Sequence, residues 1–468
     1  MPESTNESSL KRDSIFLIYA AGFIVLICVT WPLWTPQTAF PQVPFIAGMG
    51  RIPEGLELGF LVALLAGLSG LQIIAAPRIR QWDCLLVGLC TFTLVGVDQH
   101  RLQPWVWQFF ILSIVLATAD SVTARAGWRW LVIGIYAWSA WSKLDRGFCV
   151  QHGPFLLEGL FKAIGLVGFM QAWPQKVTYT VAGFFPVFEL LVAIGLSWSR
   201  TRRFAVLGAA MMHVGLLLAL GPLGHDHRPG VLVWNAFFMV QNWILFGSQE
   251  NNEKQKRPLT LSPGAQGRGR LSPQGRGEGI RAGSDFVIDS LETTVAADSK
   301  TKPNSDGGTL GSTGLAVRAG NWFAKSVVVA ALCWPVLEPF GFCDHWPAWA
   351  VYAAKPERVT VFLAEEELSK LPQSMAQYLG ARTVFDEWDP IRIDRWSLDA
   401  VYVPIYPQDR FQVGVALGLA RDLRLNSIRI VIDGPANWWT GKPDVREYVG
   451  LESVEKLADS YRFNARPR

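Results

Sequence analysis

Apolar runs close to the length of a bilayer crossing constrain this chain more than any motif it carries. They fall at about 15–34, 58–76, 82–97, 104–119, 128–147, 177–198, 203–220, 231–247 and 322–342. A membrane-spanning helix needs about 20 apolar residues, so each run approaches that length; the shorter ones require flanking side chains to snorkel. Half of the 468 residues are hydrophobic, only 18% are charged, and the mean hydropathy is positive. That balance lies outside the soluble range and predicts an all-α polytopic membrane bundle of about eight spans plus a ninth. Trp is abundant at 21, with many indoles at the ends of the runs, where interfacial belts place them.

Residues 1–13 read as a polar tail. Lys11 and Arg12 then lead into a run too long for the core of a secretory signal, which predicts a retained first span. Charge in the loops predicts orientation. With the N-terminus inside, inner loops carry Arg78 and Arg80, Arg125 and Arg129, and Arg200, Arg202 and Arg203. Residues 248–321 add ten Lys or Arg, whereas the outer loops hold Arg51, Arg101 and Arg228 singly. The exception is the connection between the fifth and sixth runs, with Lys143, Arg146, Lys162 and Lys176. The bias favours a multi-pass cell-membrane protein with an inner linker and a C-terminal domain outside. Its small net charge of +4 clusters in loops and linker, which speaks for a lipid bilayer and not for nucleic acid as the partner.

The linker repeats one phrase, Leu261–Arg268 and Leu271–Arg276, in a Gly, Pro and Ser context that predicts disorder. Phe155–Trp173 carries Glu158 and Lys162 and is expected to be re-entrant or to lie on the surface. Residues 343–468 turn soluble in character and predict a small α/β layer of unknown partner. Strands are expected at Arg358–Leu363 and Ile428–Ile432, an extended stretch at Ile391–Pro404, and helices at Glu365–Leu379, Phe411–Leu423 and Ser453–Tyr461. Trp346, Trp349 and Tyr352 are expected at the outer interface.

Ionisable groups inside spans are costly, which makes Lys143, Glu189 and His213 the candidate site. Glu189 lies 11 residues before Arg200 and His213 lies 10 after Arg203, on the two arms of one hairpin. At about 1.5 Å per residue they are level near the bilayer midplane, where they can pair, either as a functional site or as a packing device. Pro186, one turn before Glu189, predicts a kink. Lys143 follows Arg129 by 14 residues, about 21 Å along the helix, short of a full core. Tyr136, Ser139 and Lys143 share one helix face, a polar strip that belongs toward a bundle interior. Burial disfavours an ammonium ion over a free amine, the form a general base needs. The competing reading is an anchor that snorkels to the headgroups. His225-Asp226-His227 is a weak metal motif, and Asp98 opens a turn at a span end. The six cysteines lack a CxxC; Cys149 and Cys343 fall on the same predicted side, where they are free to pair.

Tyr136 with Lys143-Leu144 and Gly147, then Glu189, then Met212-His213, resemble the pattern of the horizontally transferred transmembrane domain family, which includes the vitamin K-dependent gamma-carboxylases. The likeness covers roughly residues 15–247. It implies a reduced, vitamin K-like quinone as cofactor or substrate. Lys143 then takes the place of the base that deprotonates the quinol, with Glu189 and His213 supporting the pocket. Ser139-Ala140 stands where the family has Ala-Gly, and a domain of about 120 residues replaces the large carboxylase exterior region. The helix pattern is also similar to DoxX-like and methylamine-utilisation membrane proteins. Two other classes remain open: a non-catalytic membrane scaffold presenting the exterior domain to a partner, and a transporter using Glu189 and His213 as a proton site.

Overall fold

The computed structural model describes residues 3–74, 76–247, 310–354, 356–382, 387–435, 437, 440 and 442–468. Met1–Ser248 and Val317–Arg468 form one compact unit. Of the expected disordered linker over 248–321, residues 248–309, with the repeated phrase, lie outside the described residues, and from Leu310 onward the chain is helical, not disordered.

Among the described residues, eleven α-helices precede residue 248: α1 (Glu3–Val29), α2 (Trp31–Trp34), α3 (Glu54–Ile73), α4 (Pro77–Val97), α5 (Pro104–Thr118), α6 (Ser121–Ser142), α7 (Gly153–Ala163), α8 (Val167–Gln171), α9 (Gln175–Ser197), α10 (Arg202–Leu220) and α11 (Pro229–Asn242). The run at 15–34 breaks at Thr30, whose hydroxyl donates to Leu26 O and accepts from the Trp34 indole. The polar tail from Glu3 onward continues α1. Proline opens α4, α5 and α11, where its missing N–H removes nothing from the helix. Asp120 caps α6 by accepting from Thr123 N at 2.8 Å. The next described helix, α12 (Leu310–Cys333), begins 12 residues earlier than the run at 322–342 and continues into a tight 3-10 stretch, Trp334–Phe340.

Five stretches are long and apolar enough to cross a bilayer among the described residues: Glu54–Ile73, Gln175–Ser197, Arg202–Leu220, Pro229–Gly247 and Gly314–Phe340. Ser14–Val29 and Pro104–Thr118 are apolar but shorter. Length and apolarity alone therefore do not reach the eight-plus-one count expected from the runs. α4 and α6 have the length, at 21 and 22 residues, but carry charges in their N-terminal halves, Arg78, Arg80 and Asp83 in α4 and Arg125 and Arg129 in α6. The Phe155–Trp173 segment folds as α7 and α8, 11 and 5 residues long, too short to cross and packed on α9 and α10.

The C-terminal domain holds a four-stranded antiparallel sheet in the order β2-β1-β3-β4: β1 (Arg358–Ala364), β2 (Trp388–Ile391), β3 (Ile428–Asp433) and β4 (Val445–Val449). The expected strands at Arg358–Leu363 and Ile428–Ile432 are present. β4 was not anticipated, because Val445–Val449 is an edge strand with little burial and no apolar run. Two expectations fail. Ile391–Pro404 is not extended but turns into the helix Ile393–Ala400, whose strong amphipathic face seats Ile393 and Trp396. Glu365–Leu379 is interrupted at Leu371-Pro372, leaving a 3-10 turn and a four-residue helix. The buried helix Asp409–Leu423 packs on β1 and on Leu451–Ser460.

Candidate functional site

The polar strip on α6 is real and faces inward. Tyr136, Ser139 and Lys143 are all buried. Lys143 is the C-cap of α6, with its amide bonded back to Ala140 O, so its side chain turns in across the helix end. Its Nζ donates to Ser139 Oγ at 2.6 Å and to Glu189 Oε2 at 2.7 Å. Glu189 reaches it from α9, packed against α6, one turn beyond the in-helix Pro186. The two side chains are 8% and 12% exposed, which rules out an ammonium hanging among headgroups in this fold.

Glu189 and His213 do not pair with each other. His213, on α10, gives one ring nitrogen to Tyr136 Oη at 2.7 Å and the other to Asn235 Oδ1 at 2.8 Å. Asn235 Nδ2 donates to Val231 O, and Asn242 Nδ2 donates to Tyr136 Oη. These donors fix the chain's direction. Asn235 Oδ1 must accept, so Nδ1 of His213 carries a proton, Nε2 accepts, and the Tyr136 hydroxyl donates to it. Depth counting placed Glu189 and His213 level, but it holds no information on helix rotation. Lys143, entering from α6, takes the carboxylate.

Residues passed over in the sequence complete this core. Asn235 and Asn242 were missed because only ionisable groups were considered; an amide within the apolar stretch Val231–Leu245 was the available signal. One layer along, Gln108 donates to Gln241 Oε1 at 2.9 Å, the Trp128 indole donates to the same oxygen, and the Trp234 indole donates to Gln108 Oε1.

The second polar concentration is the turn after α4. Asp98, Gln99, His100, Arg101 and Gln103 are all buried. The expected interfacial turn is instead the seam on which the C-terminal domain docks. Gln99 accepts from Arg410 Nε at 2.8 Å and donates to Asn464 O at 2.6 Å. His100 Nε2 meets Pro404 O and Ser397 Oγ, both at 3.1 Å. Arg101 pairs with Glu57 and donates to Leu33 O at 2.9 Å. Arg410 forks onto Asp344. Burial pushes the Asp98 carboxyl up to about 6, with Arg101 and the amides of His100 and Val43 opposing it. Burial pushes the His100 imidazole down to about 3. The same docking buries Trp346 and Trp349, expected at the membrane interface, inside the unit.

The remaining candidates do not converge. His225 Nε2 bonds Phe155 O at 2.6 Å while its ring stacks on Phe155, and no group of three metal-capable side chains forms among the described residues. Cys149 and Cys343 are both free thiols. A half-open apolar groove of about 250 Å³ lies beside α6, but on its other face, against Trp138, Trp141 and Ser142. Lys143, Glu189 and His213 do not line it.

No family model matches this chain, and no curated protein or solved structure matches it.

Proposed function

We propose that this chain is a membrane enzyme of the kind its α6 pattern resembles, with Lys143 as a base toward the hydroxyl of a lipid-soluble, quinol-like substrate. The observation that carries the reading is the buried Lys143 ammonium held by Ser139 and Glu189. The active form has Glu189 ionised and Lys143 as a free amine, a pair of net charge −1 in a low-dielectric interior. Uptake of the substrate's hydroxyl proton onto Nζ restores the neutral ion pair, so Glu189 stabilises the product of proton transfer. Ser139 aims the nitrogen. His213, held as a neutral donor–acceptor through Tyr136 and Asn235, fixes α10 and α11 behind the pair. A reduced quinone supplies the acidic hydroxyl and the electrons of any coupled oxidation.

Under this proposal the bundle crosses the bilayer eight times, a ninth span follows the linker, the N-terminus lies inside and the C-terminal domain outside. The loop charge bias supports that orientation. The test is dioxygen-dependent quinol oxidation by purified protein over a panel of reduced quinones, with the added dioxygen accepting the two electrons. Lys143→Ala should abolish turnover while the protein stays folded; wild-type turnover in Lys143→Ala overturns the assignment. A second reading, a non-catalytic scaffold presenting the C-terminal domain to a partner, is favoured by the position of the groove away from Lys143. It expects no turnover from the wild type with any member of the panel.

A further inference from the structure

We infer that the arginines gathered where α6 and α10 begin and α11 ends are a binding site for the phosphate of an anionic phospholipid headgroup. The site lies at the other end of α6 from Lys143 and does not rest on the reading of that residue. α11 runs into a turn at Trp243–Gly247 that packs against both α6 and α10, so the three helices present their ends together. Arg125 and Arg129 stand one turn apart on one face of α6, and Arg202 opens α10.

Each guanidinium is placed by the backbone it touches. Arg125 Nη1 donates to Ile244 O at 3.2 Å, Arg129 Nε to Leu245 O at 2.7 Å, and Arg202 Nε to Leu196 O at 3.3 Å. Arg129 and Arg202 both lie over the buried Phe246 ring, each 5.8 Å from its centre, so two positive charges share one ring. Arg125 and Arg202 are near enough to repel the Arg129 charge, and an anion among them relieves that repulsion. Asp120, the carboxylate nearest along α6, is already engaged: it accepts from Thr123 N at 2.8 Å and from Asn321 Nδ2 at 2.6 Å. The two Nη groups of the half-buried Arg129 make no hydrogen bond among the described residues.

The donor set names a phosphate. With Nε spent on a carbonyl, Arg129 still presents its paired Nη groups as a planar fork, which fits two oxygens of one phosphate. Position names the molecule that carries it. Arg202–Leu220 and Pro229–Gly247 are both membrane-length apolar stretches, and the arginines stand where they end. Trp130, Trp198 and Trp243 are exposed around them, as indoles are in a headgroup layer. Under the proposed orientation this is the inner end, and the inner leaflet is the one that carries anionic lipid. Phe204 and Leu207, exposed on α10, give an acyl chain an apolar surface to lie on beside the headgroup.

Native mass spectrometry of the full-length protein, titrated in detergent with phosphatidylglycerol or phosphatidylcholine of matched chains, tests the site. Wild type should retain one phosphatidylglycerol about ten-fold more tightly than phosphatidylcholine, because each nearby arginine favours the anionic headgroup. Arg129→Gln together with Arg202→Gln should erase that preference. Arg129→Lys keeps the charge but loses the fork and should weaken retention about three- to ten-fold. Lys176→Gln, at the far end of α9, should change nothing. Excess inorganic phosphate should leave the lipid bound, since the acyl chains also hold it. Equal retention of the two lipids by wild type would overturn the site, whether or not the variants fold. Displacement by inorganic phosphate would overturn the assignment to lipid, and wild-type retention in Arg129→Lys would overturn the role of the fork.

Discussion

Removing one member of the Lys143–Glu189 pair should cost far more than removing both. The pair is 8% and 12% exposed, so Lys143→Met leaves a carboxylate, and Glu189→Met an ammonium, in an interior with nothing of opposite charge at 2.7 Å. A lone charge left by breaking a buried pair costs about 3–5 kcal/mol, part of which the stranded group escapes by neutralising. In the double variant two thioethers meet, no charge is buried, and only Ser139 Oγ loses a donor. Replacing a buried pair with apolar groups is commonly neutral or better, so the double variant should lie within about 2 kcal/mol of wild type. The coupling energy is then at least about 3 kcal/mol. The assay is a double-mutant cycle on denaturant midpoints of the purified protein in detergent, read by tryptophan fluorescence. A neighbouring cycle, Tyr136→Phe with His213→Leu, should couple by only about 1 kcal/mol, the value of a neutral hydrogen bond. Additivity of Lys143→Met and Glu189→Met within about 0.5 kcal/mol would refute the pairing.

Two further outcomes follow from the seam and the helix contacts. Asp98 is raised in the folded state to about 6, so its stabilising contribution is complete below the unfolded value of 3.8 and is lost as pH rises through 6. Asn keeps the acceptor for the His100 and Val43 amides without the charge, so Asp98→Asn should gain about 2–3 kcal/mol on wild type between pH 4 and pH 8, measured by thermal unfolding. His100 titrates oppositely, losing stability as pH falls toward 3, and is common to both proteins. A Cβ on Gly320 would sit 2.2 Å from the backbone carbonyl of Thr118, whereas one on Gly134 would meet only the Leu332 methyl at 2.0 Å. Gly320→Ala should therefore destabilise by about 1–3 kcal/mol and Gly134→Ala by less, because a leucine rotates and a helix backbone does not.

Much of the candidate site could be read from the chain because burying ionisable groups is expensive. Lys143, Glu189 and His213 stood out against apolar neighbours, and the three- and four-residue spacing put Tyr136, Ser139 and Lys143 on one face, as the fold has them. Their partners could not be read. Helix rise gives depth, but which face α9 and α10 turn toward α6 depends on packing, and that rotation sends Glu189 to Lys143 and His213 to Tyr136 and Asn235. The amides escaped because an uncharged polar residue barely changes an apolar run.

By itself the sequence determined the helical character of residues 15–247, the charge-poor runs, the inward polar strip and the strands at Arg358 and Ile428. These are local consequences of hydrophobic period and length, which need no knowledge of neighbours. Tertiary structure alone decided that Asp98–Gln103 becomes a buried seam, that Trp349 leaves the interface, and that a groove opens behind α6. Each depends on residues hundreds of positions apart, such as Gln99 with Arg410 or Trp138 with Ala348, and their burial exists only once the C-terminal domain is docked.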